Sequence, residues 1–122
     1  MGSTYDQRRA VGEHGENVAA DYLQAKGMQV LARNWRCRWG EIDIVAQDGD
    51  TLVFCEVKTR RTTAYGTPLE AITPDKAARL RRLAGAYLAD HDRCASRIRI
   101  DAVAVLLPPR GAAAVTHLAG VS

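Results

Sequence analysis

Two helices set against one mixed β-sheet, in the order helix, three strands, helix, one or two strands, is the α/β fold this sequence predicts. Three observations carry it. Apolar residues recur at helical spacing over residues 8–26 and again over 74–90. Glu41 to Ala46 and Thr51 to Lys58 are strand-length apolar runs joined by Asp48-Gly49-Asp50, a hairpin signal. A chain of 122 residues supplies one modest core, so a single domain over 1–122 is expected, with residues 1–8 as a flexible N-terminus.

The first helix places Val11, Gly15, Val18, Ala19, Tyr22 and Leu23 near one face, and Gly27 supplies the stop. Met28 to Trp35 is a β-prone run, and the basic stretch Arg36-Cys37-Arg38 turns it into Gly40. The antiparallel pair 41–46 and 51–58 follows as the centre of the fold. Residues 59–72, rich in Thr, Arg and Gly and containing Pro68, read as an irregular loop. Thr73 is an N-cap and Pro74 a first helical residue, opening a helix over 74–90. That helix buries Ala77, Leu80, Leu83, Ala84, Tyr87 and Leu88 and sets Lys76, Arg79 and Arg82 on another side. Ile98 to Leu107 is a further strand, stopped by Pro108-Pro109-Arg110-Gly111, and Ala114 to Leu118 fits a final edge strand.

Composition excludes more than it identifies. Lys plus Arg number 17 against 14 for Asp plus Glu, a net charge of +3 that leans mildly toward anionic partners. The three cysteines, Cys37, Cys55 and Cys94, are odd in number and form no C-x-x-C pair, which supports neither a disulfide framework nor a zinc site. No apolar stretch approaches the ~20 residues that span a bilayer, and no signal-peptide core is present. Reduced thiols in a cytoplasmic, non-membrane protein are the expectation.

The chemistry concentrates between residues 40 and 59. Asp43, Glu56 and Lys58 lie in strands otherwise made of Ile, Val, Leu, Phe and Cys, where charges are costly unless a cation or hydrogen bonds compensate them. Strand alternation puts Glu56 and Lys58 on one face with Leu52 and Phe54. With Asp48 and Gly49 as the central residues of a two-residue turn, Asp43 lies opposite Phe54, and Glu56 is its diagonal neighbour on the same face. Such neighbours have backbones about 7–8 Å apart, a span two carboxylates can close around one cation. A three-residue turn would separate the two acids onto opposite faces. Arg60 and Arg61 follow at once, where an anionic substrate would need them.

Aspartate, intervening residues and then Glu-x-Lys resemble the signature of the PD-(D/E)XK nuclease superfamily, with its restriction-endonuclease-like mixed sheet. The surrounding residues narrow the resemblance: Gly12-Glu13-His14-Gly15-Glu16, Ala20, Tyr22-Leu23, Gly27, Arg33-Asn34, Gly40-Glu41-Ile42-Asp43, Phe54 to Arg60, Tyr65-Gly66, Lys76 and Arg99-Ile100-Asp101. Taken in order they resemble the YraN (UPF0102) family, similar at a distance to archaeal Holliday-junction resolvases. Ile42 stands where the superfamily motif has proline, and Cys55 where a small aliphatic residue is more usual.

The resemblance implies a magnesium-dependent endonuclease, with manganese able to substitute, acting on DNA of branched or junction-like shape. Its metal ligands would be Asp43, Glu56 and the Val57 carbonyl, with Lys58 beside the attacking water and Glu16 orienting a water or assisting a second ion. Arg60, Arg61, Lys76 and Arg79 would contact nucleic acid, and Tyr65 would stack on an unpaired base. Symmetric cutting of two strands fits a homodimer. The rival expectation is a non-catalytic nucleic-acid-binding module or complex subunit that keeps the fold; a further one uses the basic helix for a protein partner. Glu41 and Asp101 read as partners of arginines, and His14, His91 and His117 as too scattered to form a site.

Overall fold

The computed structural model describes residues 4–61, 72–91 and 97–121. The elements are α1 (Thr4–Ala25), β1 (Gln29–Cys37), β2 (Gly40–Asp48), β3 (Thr51–Arg60), α2 (Pro74–Asp90), β4 (Arg97–Leu106) and β5 (Ala114–Leu118). One five-stranded sheet has the order β1-β2-β3-β4-β5, antiparallel throughout except for the parallel pair β3 and β4. A parallel pair needs a crossover, and α2 lies within it. This is the predicted mixed α/β architecture, with the final edge strand present.

α1 begins at Thr4, four residues before the expected start, so the helix takes in residues assigned to a flexible terminus. Its end is set by Gly27 at φ +96°. The Gly27 amide donates to the Gln24 carbonyl at 2.9 Å and the Met28 amide to the Leu23 carbonyl at 3.0 Å, the two bonds of a Schellman motif. Met28 and Leu23 also share one hydrophobic cluster, the contact that accompanies this motif. α2 opens as predicted: Pro74 occupies its first turn, and the Thr73 hydroxyl accepts from the Lys76 amide at 3.2 Å.

The two helices cover opposite faces. α1 brings Ala19, Ala20 and Leu23 onto Ile44, Val53, Cys55 and Val103. α2 brings Leu80, Leu83 and Tyr87 onto Ile42, Val45, Leu52, Phe54 and Ile100. Each fully buried Leu, Ile or Phe contributes roughly 1.5–3 kcal/mol. β3 feeds both layers, with Leu52 and Phe54 on one side and Val53 and Cys55 on the other.

The central hairpin differs from the expected register. Asp48 pairs with Thr51 and Gln47 with Leu52, so the turn residues are Gly49 and Asp50 rather than Asp48 and Gly49. The cause is local: Gly49 takes φ +63°, and glycine at the first central position is what a type II′ hairpin turn needs. Phe54 therefore pairs with Val45 rather than Asp43, and the ladder ends at Ile44 opposite Cys55, short of Asp43. The loop still has two residues, so the faces expected from the period of two are not exchanged by the turn. Strand β3 also runs on through Thr59 and Arg60, residues assigned to a loop, because both pair with β4, at Val105 and Leu106.

Candidate functional site

The sheet's regular alternation fails at Asp43. Ile42 and Ile44, two residues apart, lie in opposite hydrophobic layers; the β1–β2 ladder passes over Asp43 and the β2–β3 ladder ends at Ile44. Across from it Asn34 adopts φ +53°, the left-handed conformation that asparagine tolerates better than most residues. Trp35 pairs with Ile42 and Arg33 with Ile44, so Asn34 and Asp43 are the irregular pair between them. The register is the same on either side of this pair, so neither strand carries an extra residue here; the register shift of this ladder lies between Val30 and Ala32.

Helix α1 closes over this irregularity. Gly15 is buried against Thr59 of β3, and a Cβ at Gly15 would overlap the Thr59 side chain. That approach makes a cleft of about 1030 Å³ between the first half of α1 and the ends of β1, β2 and β3. Glu16, Asn34, Asp43, Val57 and Lys58 line it, together with Arg8, Arg9, Arg36, Arg60 and Arg61. Arg8, Gly12 and Glu16 stand four apart on α1 and so present one stripe to the cleft.

Asp43 Oδ2 accepts the Val57 backbone N–H at 2.8 Å. Burial nonetheless pushes its carboxyl up to about 6; the Val57 bond opposes the rise, and the nearby negative charges of Glu56, Glu16 and Glu41 add to it. Glu56 is half-buried, and its Oε2 is buried with no hydrogen-bond partner among the described residues. Neither acid makes an ion pair among those residues. Lys58 is exposed within the cleft. Glu16 Oε1 receives Asn34 Nδ2 at 2.8 Å and Arg33 Nη2 at 3.2 Å, which pins it to the cleft wall.

The structure therefore gathers Asp43, Val57, Lys58, Glu16, Arg60 and Arg61 around one cleft, with Glu56 beside Asp43 but not among the lining residues. α2 covers the other sheet face, and Lys76 and Arg79 do not line the cleft. Tyr65 and Cys94 lie outside the described residues. Glu41 accepts Arg36 Nε at 2.9 Å, and buried Asp101 accepts Arg99 at 2.8 and 2.9 Å, the arginine pairings expected of both acids. Asp101 also receives His117 Nε2 at 2.7 Å and the Gly120 amide at 3.1 Å, so His117 belongs to a buried network rather than to an isolated position. Among the described residues no three His, Cys, Asp or Glu side chains are arranged to hold a metal on their own.

Sequence reasoning passed over two features. Asn34 carries no motif signal for its backbone, and only its place beside Arg33 drew notice. Trp39, 63% exposed at the tip of the β1–β2 hairpin, has no signal in the sequence beyond the basic stretch Arg36-Cys37-Arg38 before it.

Fold and site define a small mixed α/β protein with an acid and lysine cleft at one end of its sheet. The chain belongs to the UPF0102 family: the family described as "Uncharacterised protein family UPF0102" matches residues 15–105. It is similar to the UPF0102 protein of Kineococcus radiotolerans, 61% identical over 114 residues and covering 93% of both chains. It is likewise similar to that of Beutenbergia cavernae, 58% identical over 112 residues, with 92% of this chain and 95% of the relative covered. Among solved structures it is similar to Hjc of Archaeoglobus fulgidus, described as a Holliday junction resolvase from an archaeal hyperthermophile. That likeness has a TM-score of 0.47 and 21% identity, over 85% of this chain and 74% of the other. No described helix is long and apolar enough to cross a membrane.

Proposed function

We propose that this protein is a metal-dependent endonuclease that hydrolyses phosphodiester bonds in DNA, selecting branched or junction-like shape over sequence. One observation carries the reading: Asp43 and Glu56, neighbouring half-buried carboxylates, make no ion pair among the described residues, and Asp43 lines a cleft that an exposed lysine and several arginines also line. Burying charge in this way is unfavourable for folding and is relieved by a bound cation.

The donor set fits a hard divalent ion. Asp43, Glu56 with its orphaned Oε2, and the Val57 carbonyl would hold magnesium, with manganese as substitute, waters completing the shell. Such an ion, when bound, neutralises charge on the phosphate and lowers the pKa of a water. The protein's own part is positioning. The Val57 amide fixes one oxygen of Asp43, Lys58 orients a water and favours hydroxide, and Glu16 is held at the cleft wall by Arg33 and Asn34 where it can orient a water. Arg60 and Arg61 would receive the phosphate backbone. A two-fold dimer would let two strands be cut symmetrically.

The test is strand cleavage of matched four-way-junction, flap, single-stranded and linear duplex DNA in magnesium or manganese, comparing wild type with Glu56→Ala and Asp43→Ala. Wild type is expected to cleave a branched substrate in preference, and both variants to lose cleavage while remaining folded by circular dichroism. A second reading, a binding module that keeps the fold, draws on the lack of a three-acid cluster among the described residues and on the engagement of Glu16 by Arg33 and Asn34. It predicts DNA binding in EDTA and no cleavage that depends on Asp43 or Glu56.

A further inference from the structure

We infer that Trp39, backed by Arg38, is a stacking platform for an unpaired nucleobase of the same nucleic acid strand whose phosphates enter the cleft. This rests on the nucleic-acid reading above and adds what is recognised beyond the phosphates. β1 and β2 are joined by two residues only, since Cys37 pairs with Gly40, and a two-residue connection has no chain of its own beneath which to bury an indole. Trp39 is accordingly 63% exposed, whereas Trp35 packs edge-on against Tyr87 at 5.4 Å. The Arg38 guanidinium lies over the Trp39 ring, 4.6 Å from its centroid, so a cation already backs the exposed indole.

The position gives the ring its partner. Arg36 and Asn34 of β1 and Asp43 of β2 line the cleft, and Arg36 stands next to the residue that closes the turn. Trp39 precedes Asp43 by four residues, ~13 Å along a strand, a distance a few nucleotides bridge. A base seated on Trp39 would thus lead its backbone past Arg36 toward Asp43. The cations around that path match phosphates. Bases inside a duplex have both faces covered by neighbours, so the platform takes a single-stranded or branched region and is tolerant of sequence, every base having a π-face.

The test uses the full chain in EDTA, so binding is read independently of cleavage. Affinities are measured for a thymidine oligomer and for an oligomer of equal length and charge in which abasic positions replace the bases. Wild type should bind the thymidine oligomer on the order of tenfold more tightly, Trp39→Ala should bind both alike, and Trp39→Phe should keep part of the preference. Equal wild-type affinity for the two oligomers would overturn the inference while leaving the nuclease reading in place. Binding of neither oligomer would also overturn the inference, and the nuclease reading would then rest on the four-way-junction and flap assay above. Loss of a sedimenting dimer in Trp39→Ala, with the base preference unchanged, would reassign the hairpin tip to a second copy of this chain.

Discussion

Asp43 makes opposing demands of folding and of the cleft. Its carboxyl titrates near 6 instead of 3.8 because burial disfavours the charge. The folded state therefore holds a proton over a range where the unfolded state has released it. Stability contributed by the protonated form is present at low pH and is lost as pH rises from about 4 to about 6, up to about 3 kcal/mol. In EDTA, Asp43→Asn should be more stable than wild type above pH 6 and should lose this dependence, as urea titrations at pH 4.5 and 8 would show; in magnesium the same variant should lose cleavage. Asp101 behaves in the opposite sense. Burial pushes its carboxyl up, but hydrogen bonds from Arg99, His117 and the Gly120 amide outweigh burial and hold it below the usual range. Its contribution is present at neutral pH and is lost as pH falls through its folded value. Asp101→Asn should cost about 3 kcal/mol at pH 7 and flatten the acid limb of the stability curve, because Arg99 and His117 lose a buried anion.

At the level of elements, the cleft depends on how closely α1 can approach β3. Gly15 and Thr59 are the point of contact. Alanine is intrinsically better than glycine inside a helix by about 1 kcal/mol, yet a methyl group here would overlap Thr59, and overpacking costs about 1–3 kcal/mol. Gly15→Ala is therefore expected to destabilise on balance and to shift β3 at Lys58, reducing nucleic-acid binding and cleavage together. Adding Thr59→Ala should recover part of the loss, a coupling that a double-mutant cycle of denaturant midpoints measures. Asn34 acts on the facing edge: its left-handed backbone and its hydrogen bond to Glu16 tie β1 to α1 across the cleft.

Among the described residues, two groups of basic side chains lie on opposite faces of the sheet. Arg8, Arg9, Arg36, Lys58, Arg60 and Arg61 line the cleft on the α1 side, and Arg79 and Arg82 are exposed on α2, which covers the reverse of the sheet. Each phosphate contact contributes about 0.7 to 0.9 to the slope of log affinity against log salt. Replacing Arg60 and Arg61 together by alanine should lower that slope by about 1.4 to 1.8, while the Arg79→Ala, Arg82→Ala pair leaves it nearly unchanged. Fluorescence anisotropy of labelled DNA across a salt series reads both; a larger drop for the α2 pair would place the substrate on the other face.

Local signals determined much of this protein. The Gly27 stop, the Thr73-Pro74 start, the strand runs and the arginine pairings of Glu41 and Asp101 were legible because capping, turn chemistry and period-two burial act over a few residues. So were the unusual acids and lysine of β2 and β3, since charges among aliphatic strand residues need compensation wherever they fold. What only the tertiary structure decided depends on residues distant in sequence. The Gly49-Asp50 turn set Phe54 opposite Val45 rather than Asp43, and the irregular step between Asn34 and Asp43 accompanies the turn of that carboxyl to the cleft. The same packing left Glu56 with a buried oxygen that has no partner among the described residues, placed α2 and its arginines behind the sheet, and carried Trp39 out to the hairpin tip. Burial and electrostatics at these positions arise only when separate elements meet, and a one-dimensional pattern holds no record of that meeting.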